Sequence, residues 1–203
     1  MFVRTMYITA EPQNVGPALD VLAKETPGML AEQDGYQGLG IFADRAVGKI
    51  LAGSWWDSEE AMNASNEAMG GKRAQMLEPI IATIAVMGME AVAFTRPPSA
   101  SGGGFRLQRM VFDPSKADQL VDVFNSQGMP RLQEIDGFAG CTMLMDRAHG
   151  MASVGVVYRD MAALEASRGM QAKIRHDALA AMPWVQLVAL EEMDVIDLDT
   201  PTR

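Results

Sequence analysis

Asp34-Gly35-Tyr36-Gln37-Gly38 and Asp44-Arg45-Ala46-Val47-Gly48 recur 102 positions later as Asp136-Gly137-Phe138-Ala139-Gly140 and Asp146-Arg147-Ala148-His149-Gly150. Working outward, the same shift pairs Arg4 with Arg106, Pro12 with Pro114, Gly53 with Gly155 and Arg73 with Arg175, with no gap. Self-similarity of this length describes a whole folding unit, not a local motif. The 203 residues therefore divide into two copies of one small domain, each near the usual domain size of about 100 residues.

Each copy reads in the same order. In the first, β-branched and aromatic residues alternate from Phe2 to Ala10, which predicts a strand. Pro12 opens a helix to about Glu32, with Val15, Ala18, Leu19 and Leu22 on one apolar face and Pro27-Gly28 positioned to end or kink it. Strands are predicted from Tyr36 to Ala43 and from Lys49 to Trp56, joined by a hairpin at Asp44–Gly48. Ser58 caps a second helix, with Glu59 and Glu60 at the positive end of its dipole. Gly70-Gly71 is expected to interrupt that helix, and a long strand from about Ile81 to Phe94 completes the unit. Strand, helix, strand, strand, helix, strand is the ferredoxin-like pattern. The second copy repeats it, with Asp160 in the place of Ser58.

The expected boundaries are a first repeat over 1–95, a linker rich in Pro, Gly and Ser over 96–104, a second repeat over 105–199 and a tail over 200–203. The fold class is α+β. Both helices of a ferredoxin-like unit cover one sheet face, and the bare face needs a partner. The economical arrangement presses the two bare faces together in an α/β barrel, a pseudo-dimer within one chain. Further homodimerisation is left open.

A formal net charge of −9 and an isoelectric point near 4.7 argue against nucleic acid and anionic membrane surfaces as partners. The lone Cys141 excludes an intrachain disulfide and fits a reducing compartment, so the cytoplasm is the expected location. Seventeen methionines are read as fillers of irregular core gaps or as walls of an adaptable apolar pocket. No phosphate-binding glycine loop, serine elbow or zinc pattern occurs, and no metal or cofactor is expected.

Trp56-Asp57-Ser58-Glu59-Glu60-Ala61, following the third strand, resembles a signature of the antibiotic-biosynthesis-monooxygenase type within the dimeric α/β-barrel superfamily. The resemblance in element order covers nearly the whole chain, twice. It implies a cavity holding a small hydrophobic or aromatic molecule, and in some members oxidation of aromatic substrates by oxygen without metal or flavin. Others bind and degrade haem. The haem branch implies an Asn on the first strand and a His seventeen residues after the Trp. Arg73 and Arg175 occupy that place and neither first strand has an Asn, so haem chemistry is disfavoured.

Trp55 and Trp56 must lie on opposite faces of their strand. The resemblance makes Trp56 the cavity residue, and its counterpart Tyr158 adds a polar tip suited to a phenolic ligand. Arg4 and Arg106 either bind an anionic oxygen from the barrel wall or are solvated at strand ends. Tyr7 and Arg109 occupy the opposite face, and the sequence leaves open which face lines the barrel. His176 is a candidate general base with Tyr7 as its alternative, and Arg73 and Arg175 are candidate substrate-binding residues. His149 and the recurrent Asp-Arg pairs read as turn chemistry. Glu90, Glu191, Glu192, Asp194, Asp197 and Asp199 read as solvent-facing or as edge protection.

Two functions follow as expectations. One is a cofactor-independent monooxygenase or isomerase for an aromatic or enolisable molecule. The other is a non-catalytic ligand binder or a barrel filled by its own side chains. Divergence between the copies, as at Trp55 and Val157, Trp56 and Tyr158, and Ala74 and His176, allows one working site and one vestigial site.

Overall fold

A computed structural model describes residues 1–96 and 101–199. The central part of the expected linker and the expected tail, 97–100 and 200–203, lie outside the described residues. The first copy forms β1 (Phe2–Thr9), α1 (Val15–Ala31), β2 (Tyr36–Asp44), β3 (Lys49–Trp56), α2 (Glu59–Leu77) and β4 (Thr83–Thr95). The second forms β5 (Gly104–Phe112), α3 (Ala117–Val123), α4 (Met129–Gln133), β6 (Phe138–Asp146), β7 (Met151–Tyr158), α5 (Met161–Ala166), α6 (Arg168–Ala181) and β8 (Val185–Asp199). The architecture is α+β, in two ferredoxin-like units.

The compact units differ from the two sequence copies in one respect. Residues 1–89 are joined by 195–199 in the first unit, and residues 90–96 join 102–194 in the second. The strand order in the first unit is β4-β1-β3-β2-β8 and in the second β8-β5-β7-β6-β4. Glu90 to Thr95 of β4 pair antiparallel with β6. Both long strands thus divide between the two units, an exchange that element order alone does not reveal.

Strand alternation fixes what lies under the helices. In the first unit Met6 and Ile8 of β1 and Ile50, Ala52 and Trp56 of β3 share a core with Leu19, Leu22 and Leu30 of α1 and Met62, Met69 and Leu77 of α2. In the second, Val154, Val156 and Tyr158 of β7 pack with Leu120, Phe124, Leu132, Leu164 and Ile174. The hairpins form as expected. Asp44 Oδ1 accepts from the Ala46 and Val47 amides, Asp146 Oδ1 accepts from the His149 amide, and His149 is exposed beside it. Ser58 and Asp160 cap their helices by accepting from the amides three residues on.

Two helix breaks fall elsewhere than expected. α1 continues through Pro27-Gly28 and α2 through Gly70-Gly71. Glycine in a helix costs about 1 kcal/mol, and the buried row Met62, Ser65, Met69 and Leu77 outweighs it. The breaks occur instead in the second copy. Phe124–Gly128 forms a π turn between α3 and α4, with the Met129 amide reaching back to the Phe124 carbonyl. Pro130 explains this: it has no amide proton, and its ring crowds the carbonyl four residues earlier. A five-residue turn relieves that clash and widens the helix locally.

The backbone yields one stability test. Gly150 has φ +62, and a Cβ there would collide with the Phe112 carbonyl oxygen, whereas a Cβ on Gly71 meets nothing within 4 Å. Gly150→Ala is expected to destabilise the fold by about 1–3 kcal/mol and Gly71→Ala to stabilise it by about 0.5–1 kcal/mol, read as opposite shifts of the urea midpoint.

Candidate functional site

The first strand of each unit carries a guanidinium under the helices, not in solvent. Arg4 is 3% exposed and Arg106 1% exposed, so of the two alternatives the sequence offers, solvation at strand ends does not hold. Arg4 Nη1 donates to Ser65 Oγ at 3.2 Å, and its guanidinium lies 5.0 Å from the Trp56 ring centroid. Arg106 Nη1 donates to Ser167 Oγ at 2.8 Å, and its guanidinium lies 5.6 Å from the Tyr158 ring. Ser65 and Ser167 are themselves 102 positions apart. Arg, Ser and an aromatic thus recur as one cation–π constellation.

The charge is balanced in one unit only. Arg106 Nη2 meets Glu192 Oε1 at 2.6 Å and also donates to the Leu164 carbonyl at 3.0 Å. Arg168 shares the same carboxylate at 2.7 Å. Glu192 is therefore partly buried and paired, not simply solvent-facing as its sequence context suggests; although burial raises its carboxyl pKa, Arg168 and Arg106 hold it below the ordinary value. Glu90 and Glu191 are also paired, with Arg147 and Arg109. Among the described residues no carboxylate pairs with Arg4, and burial together with Arg73 lowers its pKa to about 10.

Each unit has a cavity between its sheet and its helices. The second unit's cavity measures about 170 Å³ and the first unit's about 20 Å³. Four methionines line the small one: Met6, Met29, Met69 and Met76. The residues 102 positions on are Gln108, Arg131, Gln171 and Ala178, and all four line the large one. Phe124, Gln127 and Gly128 of the π turn complete a wall. Gln171 is 1% exposed, and among the described residues neither its amide nitrogen nor its oxygen finds a hydrogen-bond partner. The Tyr158 hydroxyl is likewise buried. Burial raises its pKa; Ser167 and Gln171 are near enough to oppose that without regular hydrogen-bond geometry.

The candidate site residues scatter about these cavities. Arg4 and Arg73 line the small one and Arg175 the large one. Burial, then Arg106, lowers the Arg175 pKa. Trp56 is fully buried beneath the helices, donating to Ser54 Oγ at 3.0 Å with its ring edge-on to Tyr36. Trp55, Leu51 and Tyr7 belong to the other sheet face, and Tyr7 lies under the Lys49 ammonium. His176 lies on α6 outside the cavity lining. Gln108, Gln171 and Ala178 are not singled out by sequence reasoning. The signal is present in the loss of each methionine between the copies, but which methionines face a common cleft needs three dimensions.

No protein-family profile matches the chain. It is 26% identical over 180 residues to the uncharacterized protein Rv2557 of Mycobacterium tuberculosis (strain H37Rv), spanning 88% of this chain and 80% of that protein. The uncharacterized protein Rv2558 of the same organism is 24% identical over 147 residues, spanning 72% and 62%. Among solved structures an anthrone oxidase-like protein superposes with a TM-score of 0.72 at 14% identity, over 100% of this chain and 93% of that one. A ferredoxin-fold protein of Listeria monocytogenes 4b F2365, related to antibiotic biosynthesis monooxygenases, gives 0.54 at 5% identity over 98% and 95%. The heme-degrading enzyme of Listeria monocytogenes gives 0.52 at 5% over 94% and 98%. At these identities the likeness is one of fold alone, a ferredoxin-like fold that these proteins share.

The Arg106 carboxylate gives a pH test. Glu192 has a folded pKa below its ordinary 4.5, so its contribution is present above that value and lost as pH falls through the folded pKa. Glu192→Gln is expected to cost about 1–3 kcal/mol at neutral pH, discounted because the carboxylate is part-exposed. The gap between variant and wild type in urea melts should narrow as pH falls below about 4.5.

Proposed function

We propose that the chain is a small-molecule-binding protein whose working site is the cavity of the second unit. The observation that carries this is the exchange of four methionines for Gln108, Arg131, Gln171 and Ala178. It enlarges one cleft and plants a buried, unsatisfied amide in it, while its counterpart stays filled. A dry cavity of about 150 Å³ accepts benzene, so about 170 Å³ suits a molecule of one or two rings. Met110, Met143, Val154 and Ile174 offer apolar contact, and the buried Gln171 amide, which would otherwise cost desolvation free energy, supplies donors and an acceptor for a ring oxygen. Haem is too large for this volume, and Arg175 stands where the haem branch would need histidine.

A second reading is oxygenation of that ring by molecular oxygen without a cofactor. Arg175 favours it, because a cation at the cavity stabilises the phenolate or enolate that must form before oxygen attacks. His176 lies outside the cavity lining and Tyr7 belongs to the opposite sheet face, so a substrate that ionises readily suits this site better than one requiring a protein base.

Trp184, partly buried against the same core, is the reporter. 2-Naphthol is expected to quench it saturably, and Ala178→Met, which restores the first copy's residue, should weaken that binding by about tenfold or more through steric filling. Undiminished binding by Ala178→Met would refute the site. Oxygen uptake with hydroxynaphthalenes, lost in Arg175→Met, would establish the second reading; its absence with binding intact leaves a binder.

A further inference from the structure

The first unit retains a buried cation that the second unit neutralises. Arg106 has Glu192; the residue 102 positions before Glu192 is Glu90, which belongs to the second unit and pairs with Arg147. Arg4 is left with Ser65 and the Trp56 ring, and among the described residues its Nε has no hydrogen-bond partner. Arg73 lines the same cavity, half-buried, donating to Asn66 Oδ1 at 3.0 Å with like charge as its neighbour. Two arginines lining one small cavity repel each other unless something negative lies between them.

We infer that the first unit holds a separate site for one small monovalent anion of halide size, between Arg4 and Arg73. Its dimensions set the class. The space is about 20 Å³, whereas a water-sized occupant needs roughly 10–15 Å³, so one ion of a single heavy atom fits and a ring or a phosphate does not. Its donors agree. The Thr26 hydroxyl is 5% exposed, lines the cavity and makes no hydrogen bond among the described residues. Ser54 Oγ accepts from Trp56 Nε1, which leaves its own proton free to donate into the same space. The remaining wall is methionine and leucine, an apolar surface suited to a weakly hydrated halide rather than to a strongly hydrated anion.

The site is independent of any ligand in the second unit and gives the first cleft a structural role. An anion there supplies the charge that Glu192 supplies to Arg106. It is tested by the full chain's thermal stability at constant ionic strength as chloride or bromide replaces gluconate. A saturable rise in melting temperature is expected. Arg4→Met removes a core side chain and risks misfolding, so Arg73→Met is the decisive variant, with Lys72→Met as the control for lost charge on the same helix. Arg73→Met should shift the chloride midpoint upward by about tenfold or abolish it, while Lys72→Met keeps it. The ³⁵Cl resonance should broaden with wild type and Lys72→Met and much less with Arg73→Met. Equal stability in chloride and gluconate, or the same chloride response in Arg73→Met, would overturn the inference.

Discussion

A guanidinium buried beneath helices is costly, and the way each unit meets that cost shapes the rest of the structure. Arg4 and Arg106 project from the first strands toward the second helices. There a serine oxygen and an aromatic face receive them. In the second unit the serine marks the division between α5 and α6: Ser167 accepts from Arg106 while its hydroxyl donates to the Leu164 carbonyl at 2.6 Å. Arg106 also takes the Leu164 carbonyl and the Glu192 carboxylate. The arginine thus ties β5, the start of the second helical segment and β8 together, and α6 carries Gln171 and Arg175 from that fixed point.

The two clefts show how one scaffold yields a filled and an open interior. Methionine is unbranched and fills irregular space, and four of them close the first cleft to about 20 Å³. Replacing them by three polar residues and one alanine opens the second to about 170 Å³. The Pro130-linked π turn adds Phe124, Gln127 and Gly128 to the open cleft's wall. Packing and polarity change together, which is the combination a specific ligand requires: volume for its ring and buried hydrogen-bond groups for its oxygen.

Much of the fold is legible in the sequence, because hairpins, caps and alternation are local. Gly48 and Gly150 adopt φ +73 and +62, and Ser58 and Asp160 cap as their chemistry dictates. What cannot be read is non-local. The division of β4 and β8 between units depends on which strand edge each long strand finds. The helices survive Gly70-Gly71 because of burial that arises only on folding. Arg4 and Arg106 resemble surface charges because their serine partners lie 61 residues away. Likewise Trp55 against Val157 and Ala74 against His176 read as functional divergences, yet Trp55 and Val157 lie on the other sheet face, and neither Ala74 nor His176 is among the residues lining these two cavities. Divergences that line both of these cavities include the four methionines.

Those methionines also provide the most direct test of the account. Met110, Met143 and Met182 line the open cleft, and Met6, Met29, Met69 and Met76 the filled one. With ¹³C-labelled methionine methyl groups, titration of the full chain with 2-naphthol should move the first three resonances by ring-current shifts and leave the other four in place. Shifts centred on Met6, Met29, Met69 and Met76, or no shift in any of the seven, would contradict a ligand site in the second unit.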